Sequence, residues 1–284
     1  MGRLQRLLAV KCNVITIVGL GLIGGSLLKA LQGFDEAIFY GVDAKEEVVA
    51  KAKEQGLIQY CESNEKALMD ADVVYVCLPP DAVPDFINNH QFKKGSLVTD
   101  VCGVKQTICD RITNPDVDFI GGHPMAGKEA SGFDASDGEL FKNASYLLTP
   151  TEHNQPEHIE LLKRIIEYIG CRETVITNPK EHDEMIAYTS QLMHVVAIAL
   201  CDNRQLDKAK SFSAGSLRDC TRVAKLDSKL WTQLFMHNKK ELSNCIDVFE
   251  ESMNKIKRFL QSEDAEGLQK YLEEISHRKQ KFLA

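Results

Sequence analysis

The chain has 284 residues, 44% hydrophobic and 26% charged, with a formal net charge of -7, a balance ordinary for a soluble globular protein and enough for one large or two modest domains. The negative charge and the lack of a basic run with interleaved aromatics argue against nucleic acid as a partner. Nine cysteines, scattered singly from Cys12 to Cys245 without zinc-ligand spacing, predict free thiols in a reducing cytoplasm and no metal centre.

The basic start (Arg3, Arg6, Lys11) precedes an apolar run as a secretory signal would, but no cleavage-site pattern follows and the run serves another purpose. No other stretch reads as long and apolar enough to span a membrane, so no membrane partner is expected. The run Val14 to Val18 predicts a buried strand that stops at Gly19-Leu20-Gly21-Leu22-Ile23-Gly24 and restarts as a helix reaching Leu31. In such a turn Gly19 permits the tight bend, Gly21 lets the backbone approach a pyrophosphate, and Gly24 allows close helix packing. The free N–H groups at Leu22 and Ile23 open the helix toward the phosphates.

A second strand, Ala37 to Asp43, ends in a carboxylate near the expected interval of ~20 residues, where it accepts from a ribose hydroxyl. Asp43 would face the extra phosphate of NADP as a like charge, and Ala44 offers no arginine to receive it, so NAD is the expected cofactor. A helix over 44–55, a strand over 73–78 and a sharp stop at Pro79-Pro80 follow. Leu78 and Pro79 lie at that strand's carboxyl end and complete the predicted cofactor site. A helical piece over 82–88, strands over 95–100 and around 119–120, a strand over 146–149, a helix over 157–169 and a strand over 173–177 carry the pattern to a break at Asn178-Pro179. This is an α/β pattern: residues 1–178 are expected to form a doubly wound, parallel, Rossmann-type dinucleotide-binding domain with ligands at the carboxyl ends of its strands.

After Pro179 strand patterns vanish, and residues 179–284 are expected to form an all-α domain. Met185 to Leu200 is apolar nearly all round and predicts burial on every side. Leu230, Leu234, Leu242, Ile246, Phe249, Met253, Ile256 and Leu260 make one long apolar stripe, and Leu268, Leu272 and Ile275 another. Core is the ordinary reading of such stripes, and pairing with a second copy accounts for the surplus.

Hydride chemistry needs a group to handle the accompanying proton. His123, after a strand of the cofactor domain and ahead of Pro124, is the leading candidate. Arg218 and Arg222 could hold a carboxylate bidentately, or form a salt-bridged helix face. His194, one turn from Ser190 on an apolar helix, needs a polar partner.

Together these residues resemble the prephenate dehydrogenase family of tyrosine biosynthesis over nearly the full length. The likeness rests on the glycine turn through Ser26, on His123-Pro124-Met125-Ala126-Gly127 with Glu129 and Gly132, and on His182-Asp183 followed by Ser190-Gln191-Leu192-Met193-His194. It continues through Asp219-Cys220-Thr221-Arg222-Val223-Ala224, Trp231 and Asn238-Lys239. The resemblance implies NAD-dependent oxidative decarboxylation of prephenate to 4-hydroxyphenylpyruvate. It gives His123 the catalytic role, Arg222 a substrate carboxylate and His194 a place in the substrate pocket, with a homodimer formed through the helical domain. One departure is Gly103, where the family often has serine. The length leaves no room for a fused chorismate mutase or a further regulatory domain, so tyrosine feedback would act at the active site itself. The alternatives are an arogenate dehydrogenase, which calls for an acid such as Asp183, Glu184 or Asp202 turned toward the substrate's ammonium, a β-hydroxy acid dehydrogenase, or a cofactor-sensing protein without turnover.

Overall fold

The structure is a computed structural model that describes residues 11–283; Arg3 and Arg6 of the basic start lie outside them. Seven strands form one sheet in the order β2-β1-β3-β4-β5-β6-β7. They are β1 (Val14–Val18), β2 (Ile38–Val42), β3 (Val73–Val76), β4 (Ser96–Asp100), β5 (Val117–Pro124), β6 (Ser145–Thr149) and β7 (Glu173–Ile176). Helices α1 (Leu22–Ala30), α2 (Glu46–Glu54), α3 (Asn64–Asp70), α4 (Ala82–Asn89), α5 (Gln106–Cys109) and α6 (Pro156–Tyr168) connect them. Central strands are buried on both faces, which explains their unbroken apolar runs. Alternate residues divide between two cores: Ile15, Ile17, Val73, Tyr75 and Leu97 on one face, Val18, Val74, Val76 and Val98 on the other.

The sheet is not parallel throughout. The strands from β2 to β5 are parallel, but β6 runs antiparallel to β5, with Gly121 opposite Thr149 and Pro124 opposite Tyr146, and β7 follows β6. No helical crossover returns the chain to the far end of the sheet after β5. The loop 125–144 stays at the carboxyl end instead, and folds back over α1, where Phe133 and Ser136 crowd Gly25. The antiparallel pairing also lengthens β5, so His123 lies within the strand, opposite Leu147, rather than in a loop after it.

The helical half comprises α7 (Pro179–Ile186), a π-helical turn (Ala187–Gln191), α8 (Leu192–Cys201), α9 (Gly215–Thr221), α10 (Ser228–His237), α11 (Lys239–Gln261) and α12 (Ala265–Leu283). Asn178 caps α7 by accepting from Glu181 N at 2.9 Å, and Pro179 occupies the first turn, where its missing N–H costs nothing. Pro179–Cys201 is one continuous helical run, long and apolar enough by length and composition to cross a membrane. This corrects the expectation that no such stretch exists. Its polar residues His182, Asp183 and Gln191 are buried and hydrogen-bonded inside the protein.

The burial expected around this helix is also only partial. Ile186, Ala187, Leu192 and Ala197 are buried, while Met185, Tyr188, Met193, Ile198 and Leu200 are exposed. On α11 and α12 Leu242 is buried, but Phe249, Met253, Leu260, Leu272 and Ile275 are not. The chain folds these stripes into helices, and the described residues leave most of their length uncovered. An apolar surface of this extent marks an interaction site.

The turn after β1 depends on close approach. Gly19 has φ +85°, and a Cβ on Gly24 would lie 2.0 Å from the Gly19 carbonyl oxygen. Gly24→Ala is therefore expected to force α1 away from the turn and to destabilise the fold by about 1–3 kcal/mol, as overpacking does; chemical denaturation at unchanged m-value measures it.

Candidate active site

At the topological switch point, where β1 has β2 on one side and β3 on the other, the loops after β1 and β3 diverge and leave a crevice. Helix α1 begins there, with Gly21 at its N-cap and no side chain capping its first N–H groups. A Cβ on Gly21 would meet nothing within 4 Å, so the space in front of that helix end is open. Asp43, beyond β2, accepts from Leu20 N at 2.8 Å and Lys45 N at 2.9 Å, which fixes the carboxylate beside the same turn. Leu22, Ile23 and Leu78 are half-buried around the crevice, and Pro79 is exposed at its rim.

His123 is built into a second group at the carboxyl ends of β4 and β5. Its Nδ1 lies 2.9 Å from His182 Nε2. His182 Nδ1 lies 2.8 Å from Asp183 Oδ1, and Asp183 accepts the backbone N–H of Lys105 at 2.8 Å and of Gln106 at 3.0 Å. From behind, Asn238 Nδ2 donates to the Asp183 carbonyl at 2.8 Å and to Gln191 Oε1 at 2.9 Å. Beneath His123, fully buried Lys105 is ion-paired with fully buried Asp100. Asp100 also accepts from Gly122 N at 3.1 Å and Cys102 N at 3.0 Å. Those donors satisfy the Asp100 carboxylate, and deleting one partner of a buried pair costs about 3–5 kcal/mol.

Burial first, then the neighbouring His182 and Lys105, holds the His123 imidazole well below its ordinary value. Burial likewise lowers His182, against the raising effect of Asp183. Both rings are therefore neutral at neutral pH, the state a proton acceptor requires. Gly103 faces this ring: a Cβ there would stand 3.7 Å from His123 Nε2 and 3.4 Å from Leu234 Cδ2 of α10. Its φ lies outside the left-handed region, so a serine hydroxyl in this place could reach the histidine. Cys102 does not fill that role, because its thiol donates to the Leu78 carbonyl at 3.3 Å.

A third group lies in the helical half. His194, whose Nδ1 is 3.0 Å from the Ser190 carbonyl oxygen, stacks on Trp231 with ring centroids 3.6 Å apart. Burial, and secondarily the charge of Arg222, lowers its pKa. Arg222 is ion-paired with Glu129 of the loop after β5, so the two halves of the chain meet there. Arg218 does not join it and pairs locally with Asp219 at 3.7 Å. Helix α10 links the groups, with Trp231 on His194 and Leu234 against Gly103.

Of the acids that could have faced a substrate ammonium, Asp183 is turned into α5, while Glu184 and Asp202 are exposed. The contacts of His182, Asp183, Lys105, Asp100 and Glu129 were not legible as a site. The available signals were the places of Asp100, Lys105 and Glu129 just after strand ends and the adjacent polar pair His182-Asp183, which needs partners in a buried helix.

Residues 26–175 match the nucleotide-binding domain of prephenate dehydrogenase, and residues 178–274 match its dimerization domain. The chain belongs to the prephenate dehydrogenase family. Family membership makes it an NAD-dependent oxidoreductase. The chain is 30% identical to prephenate dehydrogenase of Bacillus subtilis (strain 168) over 272 residues, 91% of this chain and 73% of that one. It is 29% identical to cyclohexadienyl dehydrogenase of Zymomonas mobilis, covering 92% of both. The structure is similar to that of Aquifex aeolicus prephenate dehydrogenase in complex with hydroxyphenyl propionate and NAD+, with TM-score 0.85, 30% identity, and 96% and 99% of the two chains covered. It is also similar to Synechocystis arogenate dehydrogenase, with TM-score 0.80, 28% identity, and 95% and 99% covered.

Because burial depresses the His123 pKa, the acid limb of kcat/KM, which reports the free enzyme's base, is expected below the ordinary histidine value of 6.5. The same shifts make stability fully present above 6.5 and progressively lost as pH falls through the folded-state values of His123 and His182. An acid limb at or above 6.5 would contradict a buried neutral base.

Proposed function

We propose that this chain is a cytoplasmic, homodimeric prephenate dehydrogenase that converts prephenate to 4-hydroxyphenylpyruvate and CO2 with reduction of NAD+. The observation that carries the reading is the neutral His123, set against Gly103 at the carboxyl end of the sheet and flanked by the His194 and Arg222 group. Residues 1–178 are read as the cofactor domain and residues 179–284 as the substrate-binding and dimerisation domain.

In this reading Gly19, Gly21, Leu22, Ile23 and Gly24 would hold the pyrophosphate at the start of α1, Asp43 would take the ribose, and Leu78 and Pro79 would border the cofactor. Asp43, already fixed by two backbone donors, opposes the additional phosphate of NADP. Bound NAD+ supplies the hydride acceptor. His123 Nε2 withdraws the proton from the substrate hydroxyl while hydride leaves the carbon that bears it. The bond from the ring to its carboxylate then breaks, CO2 departs, the electron pair enters the ring, and the proton returns to what becomes the phenol oxygen. Aromatisation drives the step, so the protein's task is to position and polarise. Arg222 binds a substrate carboxylate and neutral His194 lines the pocket. The exposed apolar faces of α8, α11 and α12, together with the match to a dimerization domain, support the homodimer. Nine free cysteines suit a reducing cytoplasm.

Arogenate is a second reading, favoured by Glu129, an acid beside His194 able to receive an ammonium. Its pairing with Arg222 leaves prephenate as the preferred substrate.

Side-by-side kcat/KM values for prephenate and arogenate, each with NAD+ and NADP+, are expected to be highest for prephenate with NAD+. Higher values for arogenate, or for NADP+, would overturn the corresponding part of the reading. His123→Asn is expected to lower kcat by ~100- to 10,000-fold with folding intact. Arg222→Ala is expected mainly to raise KM. Steady-state kinetics beside circular dichroism of each variant check both, and near-normal turnover by His123→Asn would exclude its role as base.

A further inference from the structure

Two histidine nitrogens in contact need one donor and one acceptor, so the 2.9 Å approach of His123 Nδ1 to His182 Nε2 leaves open which ring carries the shared proton. The far end of the chain decides it. Asp183 has both oxygens committed as acceptors, Oδ1 to Lys105 N and Oδ2 to Gln106 N. Backbone N–H groups cannot accept, so this carboxylate can only accept, and His182 Nδ1, 2.8 Å from Oδ1, must carry a hydrogen. A neutral His182 then has a bare Nε2, His123 Nδ1 must donate to it, and the lone pair of a neutral His123 is left on Nε2. That nitrogen is the one beside Gly103, where the missing side chain leaves it free.

We propose that Asp183 and His182 are positioning residues that fix His123 in its Nδ1–H tautomer and thereby keep Nε2 available as proton acceptor for a hydroxyl-bearing substrate. This rests on the reading of His123 as the base.

Three observations support the lock. The charged and titratable groups facing the two rings are Lys105, Asp100 and Asp183, and burial with Lys105 nearby lowers both imidazoles, so each ring carries one proton and its position matters. Asp183 is itself immobilised: its carboxylate caps the start of α5, and Asn238 holds its backbone carbonyl at 2.8 Å. His182 is 1% exposed, which keeps its ring out of contact with bulk solvent. In the reaction the hydroxyl proton goes to His123 Nε2, the resulting imidazolium keeps its Nδ1–H donated to His182, and no proton passes on to Asp183.

The test uses the full chain with 15N-labelled histidine and NAD+, without substrate, at neutral pH, and reads two-bond 1H–15N correlations, the His123 signals being assigned with His123→Asn. The expected spectrum has a protonated Nδ1 and a pyridine-like Nε2 on His123. In Asp183→Asn an amide nitrogen can face His182 instead, and a mixed or reversed tautomer is expected. Its kcat should be lower by about 10- to 10,000-fold, the upper figure being the cost of losing an orienting carboxylate behind a histidine base, while KM stays close to wild type. His182→Gln, whose amide oxygen can still accept from His123 Nδ1, should retain more kcat than His182→Leu. A wild-type His123 protonated on Nε2 would overturn the lock, as would an Asp183→Asn enzyme with unchanged tautomer and kcat. If Asp183→Asn does not fold, the wild-type spectrum alone decides. A locked tautomer without prephenate turnover would overturn the proposed activity and leave the lock standing, and turnover with Nε2 protonated would do the reverse.

Discussion

The carboxylate of Asp183 is the contact on which the site depends. It comes from the first helix of the C-terminal half, receives two backbone N–H groups at the start of α5 in the N-terminal half, and holds the ring of His182. One side chain thus caps a helix, registers the two halves against each other and anchors the row of rings that ends at His123. Asn238, at the junction of α10 and α11, and Gln191 of the π-helical turn, both buried, brace it. A buried, hydrogen-bonded network of this kind favours one arrangement, because breaking it leaves a buried donor or acceptor without a partner.

Around this anchor the fold gathers chemistry at one end of the sheet. Parallel strands deliver the glycine turn, Asp43, Leu78 and Asp100 to the same edge. The reversal at β6 keeps the loop after His123 at that edge too, instead of carrying it away through a crossover. Glu129 on this loop can therefore meet Arg222 of the helical half. The buried pair of Lys105 and Asp100 sits under the junction and ties the β4 loop to β5 through Gly122. Its cation also opposes a second proton on His123 and His182, so the electrostatics that stabilise the loop also favour neutral imidazoles there.

The helical half is less complete as a single chain. Asp183, His182 and Arg222 find partners in the N-terminal half and Gln191 and Asn238 find them within the helical half, but the apolar faces of α8, α11 and α12 remain exposed. The amphipathic stripes specify helices without specifying what covers them, and they lie within the residues that match a dimerization domain.

Local pattern was enough for the strands, the glycine turn, the carboxylate after β2 and the change from α/β to all-α at Asn178-Pro179, because each is written within a few residues by hydrophobic period and backbone freedom. His123, His194 and Arg222 could be singled out as candidates, since each is a polar or charged residue in a setting that calls for a partner. The partners themselves were hidden. His123 and His182 are separated by 59 positions, Lys105 and Asp183 by 78, and Arg222 and Glu129 by 93, and no periodicity spans such intervals. The same limit explains the antiparallel β6, whose direction depends on where the loop after β5 finds packing, and the exposed face of α8, whose composition promises burial without naming the surface. Sequence determined which elements form and which residues are candidates for the chemistry, while tertiary structure decided which nitrogen of His123 is free, because that depends on a hydrogen-bond chain closed only when the two halves dock.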